Sequence, residues 1–280
     1  MNKYLLLNIA GFNIKTAFYR AKYNHIQSAL YYEIEKNLTG FIITTKTPGK
    51  CDFYIDIKHV SYHKTLITKE DLIETYYLPY FHMIKNRRLA TYYYINLHIF
   101  LHILDFILKK LLMNHGFILH ASAASINGKA NIFLAPSGGG KSTITKFLPD
   151  YIKTIGDDNI IIRKHNNEYM VFQTPFEEKN RLNKNNVGYK LKNIYFLKKS
   201  TKTAVTKIYD KDQKYKKLLS SILAGKNDIQ KIIPTVLLFL DKFDNFYKLE
   251  FRKSKKEITE FSKGLTATGR TTRTGSARGT

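Results

Sequence analysis

A single cysteine, Cys51, excludes an intramolecular disulfide, and the simplest compartment for such a chain is a reducing one, the cytoplasm. Nothing near it in the sequence would activate a thiol, so Cys51 reads as a small buried hydrophobe. A long uninterrupted apolar run is also missing. Met1 to Leu7 offers only a brief one before Asn8, without a cleavage-type segment, and no signal peptide is expected. The stretch from Tyr92 to Leu108 comes nearest to a membrane span. Asn96, His98, His102 and Asp105 interrupt it and Lys109-Lys110 follow at once, which makes a buried or amphipathic helix the expectation. His98 and His102 share a helical face at a spacing that zinc sites use, but no third ligand accompanies them, and packing is the better reading.

Acidic residues are scarce. Against 46 Lys and Arg there are 22 Asp and Glu, a formal net charge of +24 that would suit a polyanionic partner. Lysine dominates over arginine, however, and the chain is rich in Ile, Asn and Tyr, a combination that reads as compositional drift. It has no zinc-finger spacing, no aromatic RNP-type signature and no basic heptad region, so nucleic acid is not the expected partner. A basic surface does favour acidic substrates, an acidic peptide among them. The 280 residues, 44% of them hydrophobic, suffice for one large domain or two modest ones around a real core.

Three regions can be distinguished. Residues 1–90 mix short alternating runs, such as Gly40 to Thr44 and Phe53 to Ile57, with punctuation at Pro48-Gly49, and read as a strand-rich α/β region of unknown role. Residues 91–263 begin with helical spacing from Tyr92 to about Asn114, stopping before Gly116. Phe117 to Ile126 then reads as one strand, Asn127-Gly128 as a hairpin turn, and Lys129 to Leu134 as the returning strand. A helix is expected after Ser142, a short strand before Asp157-Asp158, and a hairpin around His165 to Glu168. A strand near Asn193 to Leu197, helices near Lys214 to Leu223 and Asp228 to Leu240, and a strand near Phe246 to Phe251 follow. Residues 264–280, rich in Gly, Thr and Arg, read as a disordered tail of vector or read-through origin.

Ala135-Pro136-Ser137-Gly138-Gly139-Gly140-Lys141-Ser142 matches the phosphate-binding P-loop at every position but the first, where alanine replaces glycine. Consecutive glycines let backbone N–H groups turn inward around an anion, and the following helix adds the positive end of its dipole. Lys141 can reach β- and γ-phosphates, and the Ser142 hydroxyl is a ligand for Mg²⁺. Ser137, Gly138, Gly139, Gly140, Lys141, Ser142 and Thr143 are thus expected to hold a nucleotide, ATP with Mg²⁺. Such a loop identifies the ligand and leaves the reaction open.

Asp157-Asp158 lies sixteen residues beyond Lys141, where a strand end beside the loop strand commonly holds Mg²⁺. Adjacent acids on extended backbone point to opposite sides, so at most one is expected straight at the metal; the other faces a substrate hydroxyl as general base, or the two divide the work through water. His120 lies twenty-one residues before Lys141, on the strand that pairs with the one feeding the loop. A hairpin of that length can bring its imidazole near the γ-phosphate, although a strand histidine between Leu119 and Ala121 is by itself more often a core residue.

Taken together, Leu119-His120-Ala121, Asn127-Gly128, Ala135 to Thr143 and Gly156-Asp157-Asp158 resemble the catalytic core of HPr kinase/phosphorylase-like proteins. The nearest in style are the small kinases of peptide-tailoring gene clusters, including those of lasso peptides. The resemblance covers roughly Phe117 to Leu197, with weaker support from Thr174-Pro175-Phe176 and Asn193 to Leu197. It implies an α/β fold with a P-loop kinase core of the HPr kinase-like type. It also implies an acid/base aspartate at Asp157, a second aspartate near the metal at Asp158, and a histidine close to the transferred phosphate at His120. After Thr174 the longer stretch of the true HPr kinases is not visible, so neither phosphorylase activity nor HPr as substrate is carried over. The expected function is transfer of the γ-phosphate of ATP to a Ser or Thr hydroxyl of a peptide or protein. Two alternatives stand beside it: a regulatory ATPase without an acceptor, and a basic nucleic-acid-associated nucleotide-binding protein.

Overall fold

The computed structural model describes residues 3–19, 24–44, 49–58, 81–92, 95–176, 182–225 and 228–267. The architecture is mixed α/β, with two sheets and six helices among these residues. Contacts divide the chain into two units. The first takes residues 1–117 and 172–188, the second residues 118–171 and 189–280. The helix of residues 97–112 groups with the N-terminal strands.

In the first unit, β1 (Lys3–Ile9) and β2 (Phe12–Phe18) form an antiparallel hairpin around Ala10-Gly11, both at positive φ. β2 alternates buried and half-buried residues along its whole length, the period of a strand with one face on a core. β3 (Phe53–Lys58) pairs parallel with β2 and with β5 (Arg88–Tyr92), and β4 (Phe81–Lys85) closes the five-stranded sheet against β5. Asp56 is buried at 3% exposure, and Arg88 satisfies it with two bonds, Nε at 2.7 Å and Nη2 at 3.1 Å, which raise the guanidinium pKa further. Cys51 is buried here as a small hydrophobe. Gly40 to Thr44, read as an alternating strand-like run, instead contains a single 3-10 turn at Thr39–Phe41 and one bridge from Ile42 to Leu7. Pro48 and residues 59–80 lie outside the described residues.

Helix α1 (Asn24–Asn37) and helix α2 (Leu97–Leu112) complete this unit. Asn96 caps α2 by accepting from the Ile99 N–H at 2.9 Å, and Phe100, Ile103, Leu104, Ile107, Leu108 and Leu112 form its buried stripe. No helix among the described residues is long and apolar enough to cross a membrane. His98 and His102 stand exposed on the same helix, their Nε2 atoms 3.0 Å apart. No group of three metal-ligating side chains exists among the described residues.

The second unit is built on a nine-stranded sheet. Phe117 to Ile126 is two strands, β6 (Gly116–His120) and β7 (Ser122–Ile126), because the chain breaks at Ala121 to serve different partners. β6 lies beside β10 (Asn159–His165), while β7 pairs with β8 (Lys129–Leu134) and β9 (Lys153–Gly156). The break is held by backbone bonds from the His120 N–H to Ser221 O and from the Ala121 N–H to Asp158 O, at 2.8 and 3.0 Å. Hairpins turn where expected, at Asn127-Gly128 and at Asn166-Asn167, all four residues at positive φ. The second of these turns joins β10 to β11 (Glu168–Gln173).

Beyond it, β12 (Tyr189–Lys199) runs parallel to β8 on one side and to β14 (Phe246–Phe251) on the other, and β13 (Ala204–Lys207) is antiparallel to β14. Four helices belong to this unit: α3 (Lys141–Phe147), α4 (Lys211–Leu219), α5 (Ile229–Lys242) and α6 (Lys255–Ala267). Ala124, Phe133, Ile144, Leu148, Tyr195, Leu249, Phe251 and Ile258 form one buried cluster, so α3 and α6 are packed on the sheet directly beside the glycine loop. Burial pushes the Tyr195 hydroxyl's pKa up, and Asn193 Nδ2 donates both to that hydroxyl and to Asn131 Oδ1, joining β12 to β8 inside the core. The first four residues of the expected tail, Gly264 to Ala267, continue α6, and the rest lies outside the described residues.

Candidate functional site

β8 and α3 are joined by residues 135–140, the loop that the glycine pattern picks out. Its geometry uses the glycines in distinct ways. A Cβ on Gly139 would stand 2.6 Å from the Ala135 Cβ and 2.9 Å from the Pro136 carbonyl oxygen. Gly140 has φ +107°, and a Cβ there would meet the Phe251 ring at 2.4 Å, so both its backbone and its surroundings demand glycine. The buried Lys141 side chain arches back over the loop, its Nζ donating to the carbonyl oxygens of Ala135 at 2.8 Å and Pro136 at 3.4 Å. Ser122 Oγ donates to Lys141 O at 3.1 Å and ties β7 to the start of α3.

A cavity of about 520 Å³ opens at this loop. Ser137, Gly138, Gly139, Gly140, Lys141, Ser142 and Thr143 line it, as do His120 and Asp158. His120 reaches it because of the break at Ala121: the antiparallel register sets Ser122 opposite Phe133, so the start of β7 lies at the same sheet edge as the end of β8. Asp158 reaches it because β9 runs antiparallel to β7, with Gly156 opposite Ala123, and ends at that edge too. Asp157 is half-buried on the same bend but does not line the cavity. Its Oδ1 accepts from Thr145 Oγ1 at 3.2 Å, one turn into α3.

Four further lining residues were not expected from the sequence: Lys199, Ser200, Phe251 and Lys253. All come from the ends of β12 and β14, which run parallel to β8 and so finish at its loop. A ligand crevice outside the carboxyl ends of parallel strands is a general property of open α/β sheets. The signal was present in the basic residues that close each strand, Lys198-Lys199-Ser200 and Phe251-Arg252-Lys253, but only the parallel pairing reveals it.

The donor set suits a phosphate chain and a hard cation. The ammonium of Lys141 and glycine backbone with no room for side chains favour phosphate. The Ser142 hydroxyl and the Asp158 carboxylate are oxygen donors of the kind Mg²⁺ takes, and that ion is usually held by one or two protein oxygens together with substrate phosphates.

Residues 85–247 match the model of a family described as SynChlorMet cassette protein ScmC, a stretch that spans more than half of the 280 residues. It contains every lining residue except Phe251 and Lys253. No curated protein matches the chain in sequence.

Proposed function

We propose that this chain, which belongs to the family of the SynChlorMet cassette protein ScmC, is a kinase with an HPr kinase-like P-loop core that moves the γ-phosphate of ATP to a Ser or Thr hydroxyl of a peptide or protein. One observation carries the reading: a single sheet edge brings Asp158, His120 and the glycine loop to one cavity, with Asp157 next to Asp158 on the same bend. A regulatory nucleotide holder needs the loop and a metal; the bend and the histidine add what an acceptor hydroxyl needs.

In the proposed reaction the loop backbone and Lys141 hold the β- and γ-phosphates and stabilise the charge on the phosphoryl group. Ser142 and Asp158 would hold Mg²⁺, which when bound neutralises charge on the phosphate oxygens. Asp157, with one oxygen fixed by Thr145, accepts the hydroxyl proton. The bond between acceptor oxygen and γ-phosphorus forms as the bond from γ-phosphorus to the β-bridging oxygen breaks, leaving a phosphoester and ADP. His120 faces the cavity as a hydrogen-bond or charge partner of the transferred phosphate.

The test is incubation of the purified chain with labelled ATP and a panel of Ser- and Thr-containing peptides, acidic ones included. Acceptor-dependent ADP formation and a labelled peptide are expected. Asp157→Asn should lower turnover by roughly 10²–10⁴-fold while nucleotide affinity stays near wild type, the usual weight of a positioned base. Transfer as fast as wild type removes the role from Asp157, and a large loss at Asp158→Asn alone would hand it to its neighbour. ADP release indifferent to any acceptor would leave a regulatory ATPase.

A further inference from the structure

Strand pairing orders five element ends along the edge that carries the cavity. From one side to the other run β9, β7, β8, β12 and β14. In that order the edge presents Asp157-Asp158, His120, the glycine loop, Lys199-Ser200, and Phe251 to Lys253. The loop is central, two strand spacings or roughly 10 Å from each outer strand at about 4.8 Å per spacing. At the cavity, Asp158 therefore lies on one flank and Lys199 and Lys253 on the other.

Phosphoryl transfer imposes a direction on such an edge, because the attacking and leaving oxygens stand roughly in line on opposite sides of the transferred phosphorus. On the kinase reading above, we propose that the acceptor hydroxyl enters over β7 and β9, while Lys199 and Lys253 hold the phosphates of the departing nucleoside diphosphate over β12 and β14.

The pairing of neighbouring lysines supports this. Lys198 and Lys248, one on each of these strands, share Glu250 at 3.4 and 2.9 Å. Lys199 and Lys253 line the cavity and have no carboxylate partner among the described residues. Ser200 donates its N–H to Phe251 O at 2.9 Å, which clamps the two strand ends side by side and keeps both lysines on one support. An ammonium on this flank is placed for the charge that grows on the leaving oxygen as the bond breaks, where a fixed cation contributes most.

Calorimetric titration of the full chain with ADP, and separately with inorganic tripolyphosphate, tests the assignment. The Lys199→Gln/Lys253→Gln variant is expected to lose more than roughly tenfold in affinity for both, as befits loss of charge-assisted bonds. The Lys199→Arg/Lys253→Arg variant retains binding, and melting curves confirm that each variant is folded; single Gln variants give the same contrast if the double does not fold. Unchanged affinity for both ligands overturns the proposal. So does a loss for ADP alone, which would put the lysines at the nucleoside, and so does a raised acceptor KM with unchanged ADP affinity, which would reverse the flanks. Because the titration needs no acceptor, a wild type that transfers phosphate to nothing sinks the kinase reading and leaves this measurement to decide the flank by itself.

Discussion

Ala135 takes the place of a glycine at the start of the loop, and Gly139 accounts for how the chain carries it. The extra methyl group occupies space that a side chain four residues later would need, with 2.6 Å between the Ala135 Cβ and the position a Gly139 Cβ would take. Overpacking a tight site costs about 1–3 kcal/mol, so Gly139→Ala is expected to weaken ADP binding by roughly tenfold, measured by calorimetry. Ala135→Gly/Gly139→Ala should recover only part of this, because the Pro136 carbonyl still lies 2.9 Å from the new methyl. A double variant no better than Gly139→Ala would refute the compensation. At this scale the sequence was legible where chemistry is local. The loop, Lys141 and Ser142 read directly from their spacing, and Asp158 and His120 are at the cavity with them. Asp157 was less legible, since side-chain direction on a bend depends on a neighbour, Thr145, that no spacing rule names.

Elements were legible where the backbone needs a special residue. Asn127-Gly128 and Asn166-Asn167 mark hairpins because positive φ suits those side chains. The break at Ala121 was not legible: its causes are the Asp158 and Ser221 carbonyls, distant in sequence. Long-range ties also hold α4 to the end of α5. Asp244 pairs with Lys214, whose side chain is only 6% exposed, and with Lys207 at 3.1 Å. These hydrogen bonds hold the Asp244 carboxyl below its ordinary range, Lys214 contributing most. A depressed carboxylate adds stability above its unfolded value, about 3.9 for Asp, and loses it as pH falls through the lower folded value. Asp244→Asn should therefore melt below wild type at pH 7, with the gap closing as pH falls below the ordinary carboxylate range. A gap that stays constant across that range would mean the effect is steric and not one of charge.

For the whole molecule, net charge is the property the sequence states without ambiguity and the structure gives a meaning. If every one of the 22 acids paired with one base, 24 of the 46 would remain, so self-repulsion opposes the folded state. The ion pairs on the surface work against this only weakly, at about 0–1 kcal/mol each, and they are screened by the same salt. Repulsion among unpaired lysines is spread over longer distances and is screened first, with a Debye length near 10 Å at about 0.1 M. Melting temperature should therefore rise with NaCl, most steeply below about 0.1 M. A fall over that range would show that paired charges dominate. The same titration judges the nucleic-acid alternative. A surface that is basic only through composition binds duplex DNA at low salt without sequence preference, and that binding should be gone by about 0.2 M, since each phosphate contact steepens the salt slope. A complex that survives there with a preferred sequence would require a dedicated interface, and the lysines at the cavity would then have to be weighed as part of it.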